Sequence, residues 1–93
     1  MVAVMLLMED GAMNSNNPKD IKGIGISDGK SCNVYAIADL YCYLKNNPNV
    51  VITVKGTKSH LVPIRATNGK MYIRSEPNEQ MIDSLMNLPR IKV

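Results

Sequence analysis

The dipeptide Asn68-Gly69 constrains this chain more than any other feature. Both residue types tolerate left-handed backbone, so the pair closes a tight turn. It stands between Leu61 to Ala66 and the run Met71-Tyr72-Ile73-Arg74, two segments suited to strands. A β-hairpin over residues 61–74 follows. Pro63 lacks an N–H to donate, which places the first of these strands at an edge or a bulge.

Asp28-Gly29 repeats the signal upstream. The isoleucine-rich stretch 20–27 enters it as a strand, and a short return strand is expected near Lys30–Cys32. Val50-Val51-Ile52-Thr53-Val54 is a β-branched run between turn residues, the pattern of a central strand buried on both faces.

Two helices complete the pattern. Ile37, Leu40, Tyr41 and Leu44 recur at i, i+3, i+4 and i+7, which predicts an amphipathic helix over about 34–46 with Asn33 as its N-cap. Asn46, Asn47 and Pro48 end it, because Asn accepts left-handed geometry and Pro cannot continue the ladder. Ser75-Glu76-Pro77 supplies a cap, a first-turn carboxylate and a first-turn Pro. Met81, Ile82, Leu85 and Met86 then form a second apolar stripe that ends before Pro89.

Ninety-three residues support one core and no second domain. The expected fold is a small two-layer α+β domain in the order β-β-α-β-β-β-α, a mainly antiparallel sheet packed against two helices. Residues 20–93 form that domain, and 1–19 are an N-terminal apolar run followed by a flexible loop. The run Met1 to Met8 lacks a preceding cationic segment and is too short to span a bilayer. It reads as an extra edge strand, a self-association patch, or a piece with little structure ahead of a later start. The core draws on Ile, Val, Leu and seven methionines, since the aromatic set is four tyrosines alone.

Charge is unevenly distributed. Residues 1–47 hold four lysines and five carboxylates, whereas 48–93 hold seven cations and three carboxylates. Between Pro48 and Ser75 lie Lys55, Lys58, Arg65, Lys70 and Arg74, with His60 and no carboxylate. A surface built there attracts anions. Alternation on the strand 71–74 puts Tyr72 and Arg74 on one face, so Tyr72 is available to stack on a base.

Other chemistries find little support. Gly23-x-Gly25 with Gly29 lacks the spacing of a dinucleotide loop, and Gly56-Thr57-Lys58-Ser59 lacks the leading glycine and the following helix of a phosphate loop. His60 is the sole imidazole and has no oriented nucleophile partner in sequence, so no catalytic residue is assigned. Cys32 and Cys42 read as two free, buried thiols, and with one distant histidine they cannot assemble a structural metal site. No cofactor is implied. Glu79 and Asp83, at i and i+4, read as a solvated helix face.

The residues Asn68-Gly69-Lys70-Met71-Tyr72-Ile73-Arg74-Ser75, then Pro77-Asn78, then Leu85-Met86-Asn87-Leu88-Pro89, resemble a family of small uncharacterised bacterial and phage proteins, a domain of unknown function. Its members share an Asn-Gly turn, a Tyr-Leu-Arg-Ser-like strand and an Asn-Leu-Pro tail; Ile73 stands here for the usual Leu. Asp28-Gly29-Lys30 and the helix near Ala36-Ile37 are similar to that family's middle, so the resemblance covers roughly residues 20–90. It implies a compact α+β domain with no established activity.

The expected function is therefore that of a non-enzymatic, cytoplasmic binding or regulatory module. It docks its basic hairpin on a macromolecular partner through Lys55, Lys58, Arg65, Lys70, Tyr72 and Arg74, for instance as a phage-encoded inhibitor of a host protein. The alternative is direct nucleic-acid binding through region 48–75. A protein partner is favoured over nucleic acid, no membrane is involved, and a homodimer is an open option.

Overall fold

A computed structural model of the chain describes residues 1–76 and 84–91. The described strands are β1 (Val2–Met8), β2 (Ile21–Ser27), β3 (Cys32–Ala36), β4 (Thr53–Val54), β5 (His60–Arg65) and β6 (Met71–Glu76). One α-helix, α1 (Ile37–Asn46), occurs among the described residues, with single 3-10 turns at Pro18–Asp20 and Ser84–Asn87. The sheet order is β3-β2-β1-β4-β5-β6. Every neighbouring pair is antiparallel except β1 with β4, so the sheet is mixed. The coarse class, a small α+β domain, holds.

The N-terminal run departs most from expectation. It is neither an edge strand nor a piece set apart from a domain beginning at residue 20, because β1 lies inside the sheet between β2 and β4. Register shifts between Ala3 and Met5 and between Leu7 and Met8 break its alternation. Ala3, Leu6 and Met8 are consequently the buried positions. The C-terminal segment extends the pairing on β1's other side: Leu6 N–H donates to the Pro89 carbonyl at 2.9 Å, and Ile91 N–H donates to the Leu6 carbonyl at 2.8 Å.

The expected return strand near Lys30–Cys32 starts later and runs longer, over Cys32–Ala36. Asn33 pairs with Ile26 across β2 instead of capping a helix. The helix starts at Ile37 with Ala36 at its N-cap and no side-chain cap. Its predicted stripe is correct: Ile37, Leu40, Tyr41 and Leu44 are buried. Burial of such a side chain contributes about 1.5–3 kcal/mol. At the other end Asn47 has φ −133°, so it does not use left-handed backbone; its side-chain amide donates to the Tyr43 carbonyl at 2.8 Å.

The run 50–54 is central in the sheet but buried on one face only. Ile52 and Val54 enter the core, whereas Val51 is 58% exposed and only Thr53–Val54 pair as strand. Because β4 is so short, Pro63 lies beyond its end, on a stretch of β5 whose ladder partner is β6. The missing N–H of Pro63 therefore falls where β4 offers no ladder to break.

The expected second helix begins in residues that are strand. Ser75 and Glu76 close β6, and the Ser75 hydroxyl accepts from the Leu85 N–H at 3.3 Å. Residues 77–83, including Met81, Ile82, Glu79 and Asp83, lie outside the described residues. At 84–87 the backbone is a 3-10 turn, and Leu85 and Met86 are buried against the sheet core. Arg90 ties this end to the loop before β2, donating to the carbonyls of Met13 at 2.6 Å and Met86 at 3.0 Å.

Candidate functional site

The β5–β6 hairpin forms where the Asn-Gly pair predicts it, with a different turn. Gly69 N–H donates to the Ala66 carbonyl and Ala66 N–H to the Lys70 carbonyl, both at 2.8 Å. Gly69 has φ +87°, and among the described residues no non-glycine has positive φ. The loop is therefore a three-residue connection in which glycine alone takes the left-handed position. Asn68 contributes through its side chain, whose oxygen accepts from Lys70 N–H at 3.0 Å.

This geometry sorts the sequence-predicted cations into separate places. Arg65 pairs with Met71 at the top of the two strands, and Lys70 precedes Met71, so both exposed cations flank the hairpin tip. Lys55 and Lys58 are also exposed, but they occupy the turn between β4 and β5. His60 opens β5 next to that turn, and Arg65 stands five residues further on, about 17 Å at strand rise. The six predicted residues do not converge on one patch.

Arg74 and Tyr72 share a face, as the alternation requires, and their cross-strand partners are Val62 and Ile64. Each has acquired a neighbour. The Arg74 guanidinium donates to the Glu76 carboxylate at 2.5 Å. The carboxylate-free window ends at Ser75, one residue short of this counterion; reading two positions further along the strand would have found it. Over the Tyr72 ring sits Lys19 Nζ, 5.5 Å from the centroid, within cation–π range. Lys19 belongs to the 3-10 turn before β2, which packs on β6, and sequence reasoning missed it because Lys19 lies 53 positions from Tyr72, in a loop whose composition carries no periodicity.

The loop 10–20 that presents Lys19 is built from its own polar side chains. Ser15 donates to Asp20 at 2.6 Å, and Asn17 caps the 3-10 turn by accepting from Lys19 N–H at 3.0 Å. Pro18 at the first position fixes φ for the turn.

The turn 55–59 does not form a phosphate cradle. Thr57 N–H donates to the Val54 carbonyl, and Ser59 N–H donates to the Thr57 hydroxyl at 3.1 Å, so these amides are spent within the turn. Both cysteines are free, but neither is buried: Cys32 starts the edge strand β3, and Cys42 sits off the apolar stripe of α1. Among the described residues no helix is long and apolar enough to cross a membrane.

The family described as "Protein of unknown function (DUF3892)" matches residues 2–89. The chain belongs to that family. No curated protein and no solved structure matches it.

Proposed function

We propose that this DUF3892 chain is a non-enzymatic binding module that docks the tip of its β5–β6 hairpin on an acidic surface of a partner protein. The observation that carries this reading is the exposure of Arg65 and Lys70 together at the tip. Glu76, the one carboxylate on these two strands, is six residues from Lys70, about 20 Å along β6. It neutralises Arg74 and leaves the tip cationic. Lys19 over Tyr72, two residues from Lys70, adds a third cation to that end. Arg74, Lys55 and Lys58 then contribute to the overall field and not to the contact.

A protein partner is preferred to nucleic acid because one face of Tyr72 is already covered by Lys19, where a stacked base would have to displace it. Occupancy is the mechanism. In a small bacterial or phage protein of the cytoplasm, the natural outcome is inhibition of the protein it covers.

Charge reversal tests the assignment. A partner captured by cross-linking should be lost with R65E/K70E and retained with K55E/K58E. Retention by R65E/K70E overturns the tip as the docking site. A capture that is instead nucleic acid, and that collapses between about 50 and 200 mM salt, replaces this reading with the phosphate-binding one.

A further inference from the structure

At the opposite end of the hairpin from its tip, where β1 begins, the chain encloses a cavity of about 240 Å³. Its floor is apolar: Ile26 from β2, Leu40 from α1 and Ile52 before β4, all buried. Its mouth has a different character. Asp39 and Tyr43, one turn apart on α1, share a helix face. Tyr35 reaches the same opening from β3, where it pairs with the core residue Ile24 and so points to the α1 side of the sheet. Tyr35 and Tyr43 remain 44% and 42% exposed, so two of the chain's four aromatic side chains are left in water at one opening.

Asp39 is the one charged side chain lining the cavity, and no hydrogen bond or ion pair engages it among the described residues. Lys45, the next cation along α1, is held over the Tyr41 ring instead, at 5.8 Å. The Met1 carbonyl accepts from Thr53 N–H, which fixes Met1 at the rim without pairing its α-ammonium to Asp39. A carboxylate without an ion-pair partner, two aromatic rings and an apolar floor together recognise a cation that carries an apolar body.

We infer that this cavity binds a small organic ammonium ion, with Asp39 as its counter-ion, Tyr35 and Tyr43 against the cationic head, and Leu40 and Ile52 against the hydrocarbon. Size restricts the ligand. The volume lies below the range of about 300–1,000 Å³ for drug-sized sites. At the ~30 Å³ that a water occupies in the liquid, it holds about eight non-hydrogen atoms. Choline is of this size. The site is independent of the hairpin tip.

The test is titration of the isotope-labelled full chain with choline and, separately, with its neutral carbon isostere, in which a carbon replaces the quaternary nitrogen. Choline is expected to shift the amide resonances of Tyr35, Asp39, Leu40 and Tyr43, and to bind at least about tenfold more tightly than the isostere. Asp39→Asn, an exposed change in the first turn of α1 whose fold is checked by its amide spectrum, should reduce choline binding to the level of the isostere. Equal binding of choline and isostere, unchanged choline binding by Asp39→Asn, or no shift at these amides up to the solubility limit overturns the inference. Loss of choline binding on R65E/K70E would also contradict it, since the two sites are separate.

Discussion

Gly25→Ala isolates one contact that shapes the sheet. Gly25 pairs with Met5 on one side and Val34 on the other, and its φ is not left-handed, so alanine suits the backbone. The added methyl would lie 2.2 Å from Met5 Cγ and 3.0 Å from Met5 Sδ. Carbon atoms rest at about 3.5–4.0 Å, so Met5 must move by about 1.3 Å or more. Overpacking of this kind costs about 1–3 kcal/mol. Replacing glycine within a strand returns about 0.4–1 kcal/mol through the unfolded state. The net effect is destabilisation by up to about 2.6 kcal/mol, and each kilocalorie lowers Tm by roughly 4–8 °C for a domain of this size. Urea and thermal unfolding of Gly25→Ala, Met5→Ala and the double variant form the assay. In the Met5→Ala background the collision is gone, so Gly25→Ala should be neutral or slightly stabilising, with a coupling of about 1 kcal/mol or more. Equal effects in both backgrounds, or stabilisation in the wild-type background, would refute the packing argument.

Four further outcomes follow. Arg90→Ala removes charge-assisted bonds to the carbonyls of Met13 and Met86 and should cost about 1.5–3 kcal/mol in urea unfolding, whereas a loss below experimental error contradicts the clamp. The Asp28 carboxyl is held below the usual carboxylate range by the N–H groups of Ser31 first and Lys30 second. Its contribution to stability is therefore present above the unfolded-state pKa and lost as pH falls through the lowered folded value. A side-chain NMR titration of Asp28 with a midpoint at or above the ordinary aspartate value would contradict this. Glu76→Gln removes the carboxylate paired with Arg74 and should raise acidic-peptide affinity only through the overall field, by a smaller factor than R65E/K70E lowers it; a change as large as that of R65E/K70E contradicts the placement of Arg74 outside the contact. Cys32 and Cys42 are exposed and free, so a thiol reagent should modify two equivalents in the native protein, and protection of either until unfolding contradicts the placement.

The helix and the hairpin were legible because their signals are local. Ile37, Leu40, Tyr41 and Leu44 keep one period, and Asn68-Gly69 specifies a turn in two residues. β1 was hidden by its bulges: Ala3, Leu6 and Met8 face the core at spacings of three and two, which match neither a strand nor a helix period. The trace it left lay elsewhere, in Gly23 and Gly25, whose alternation on β2 clears space for β3 on one side and for Met5 on the other. Asn33 failed as an N-cap because cross-strand pairing of Cys32–Ala36 with β2 outweighed a local propensity. Val50 to Val54 looked doubly buried because composition does not reveal that one face of the sheet is open at Val51.

For the basic surface, sequence counted charges correctly and could not place them. Arg65 and Lys70 meet through the hairpin turn, which is local. Lys19 reaches Tyr72 through tertiary packing, and Lys55 and Lys58 are carried to the other end of β5 by the strand itself. Arg74 and Glu76 are two apart on one strand, a pairing visible in sequence once the segment is known to be extended.

The most direct test of the docking surface is amide-shift mapping on the isotope-labelled chain titrated with an oligoglutamate peptide, for the wild type and for R65E/K70E. Docking at the tip requires shifts centred on Arg65 to Lys70, with Lys19 and Tyr72, and their loss in the double variant. Shifts centred on Lys55 to Ser59, or shifts that persist unchanged in R65E/K70E, would contradict it.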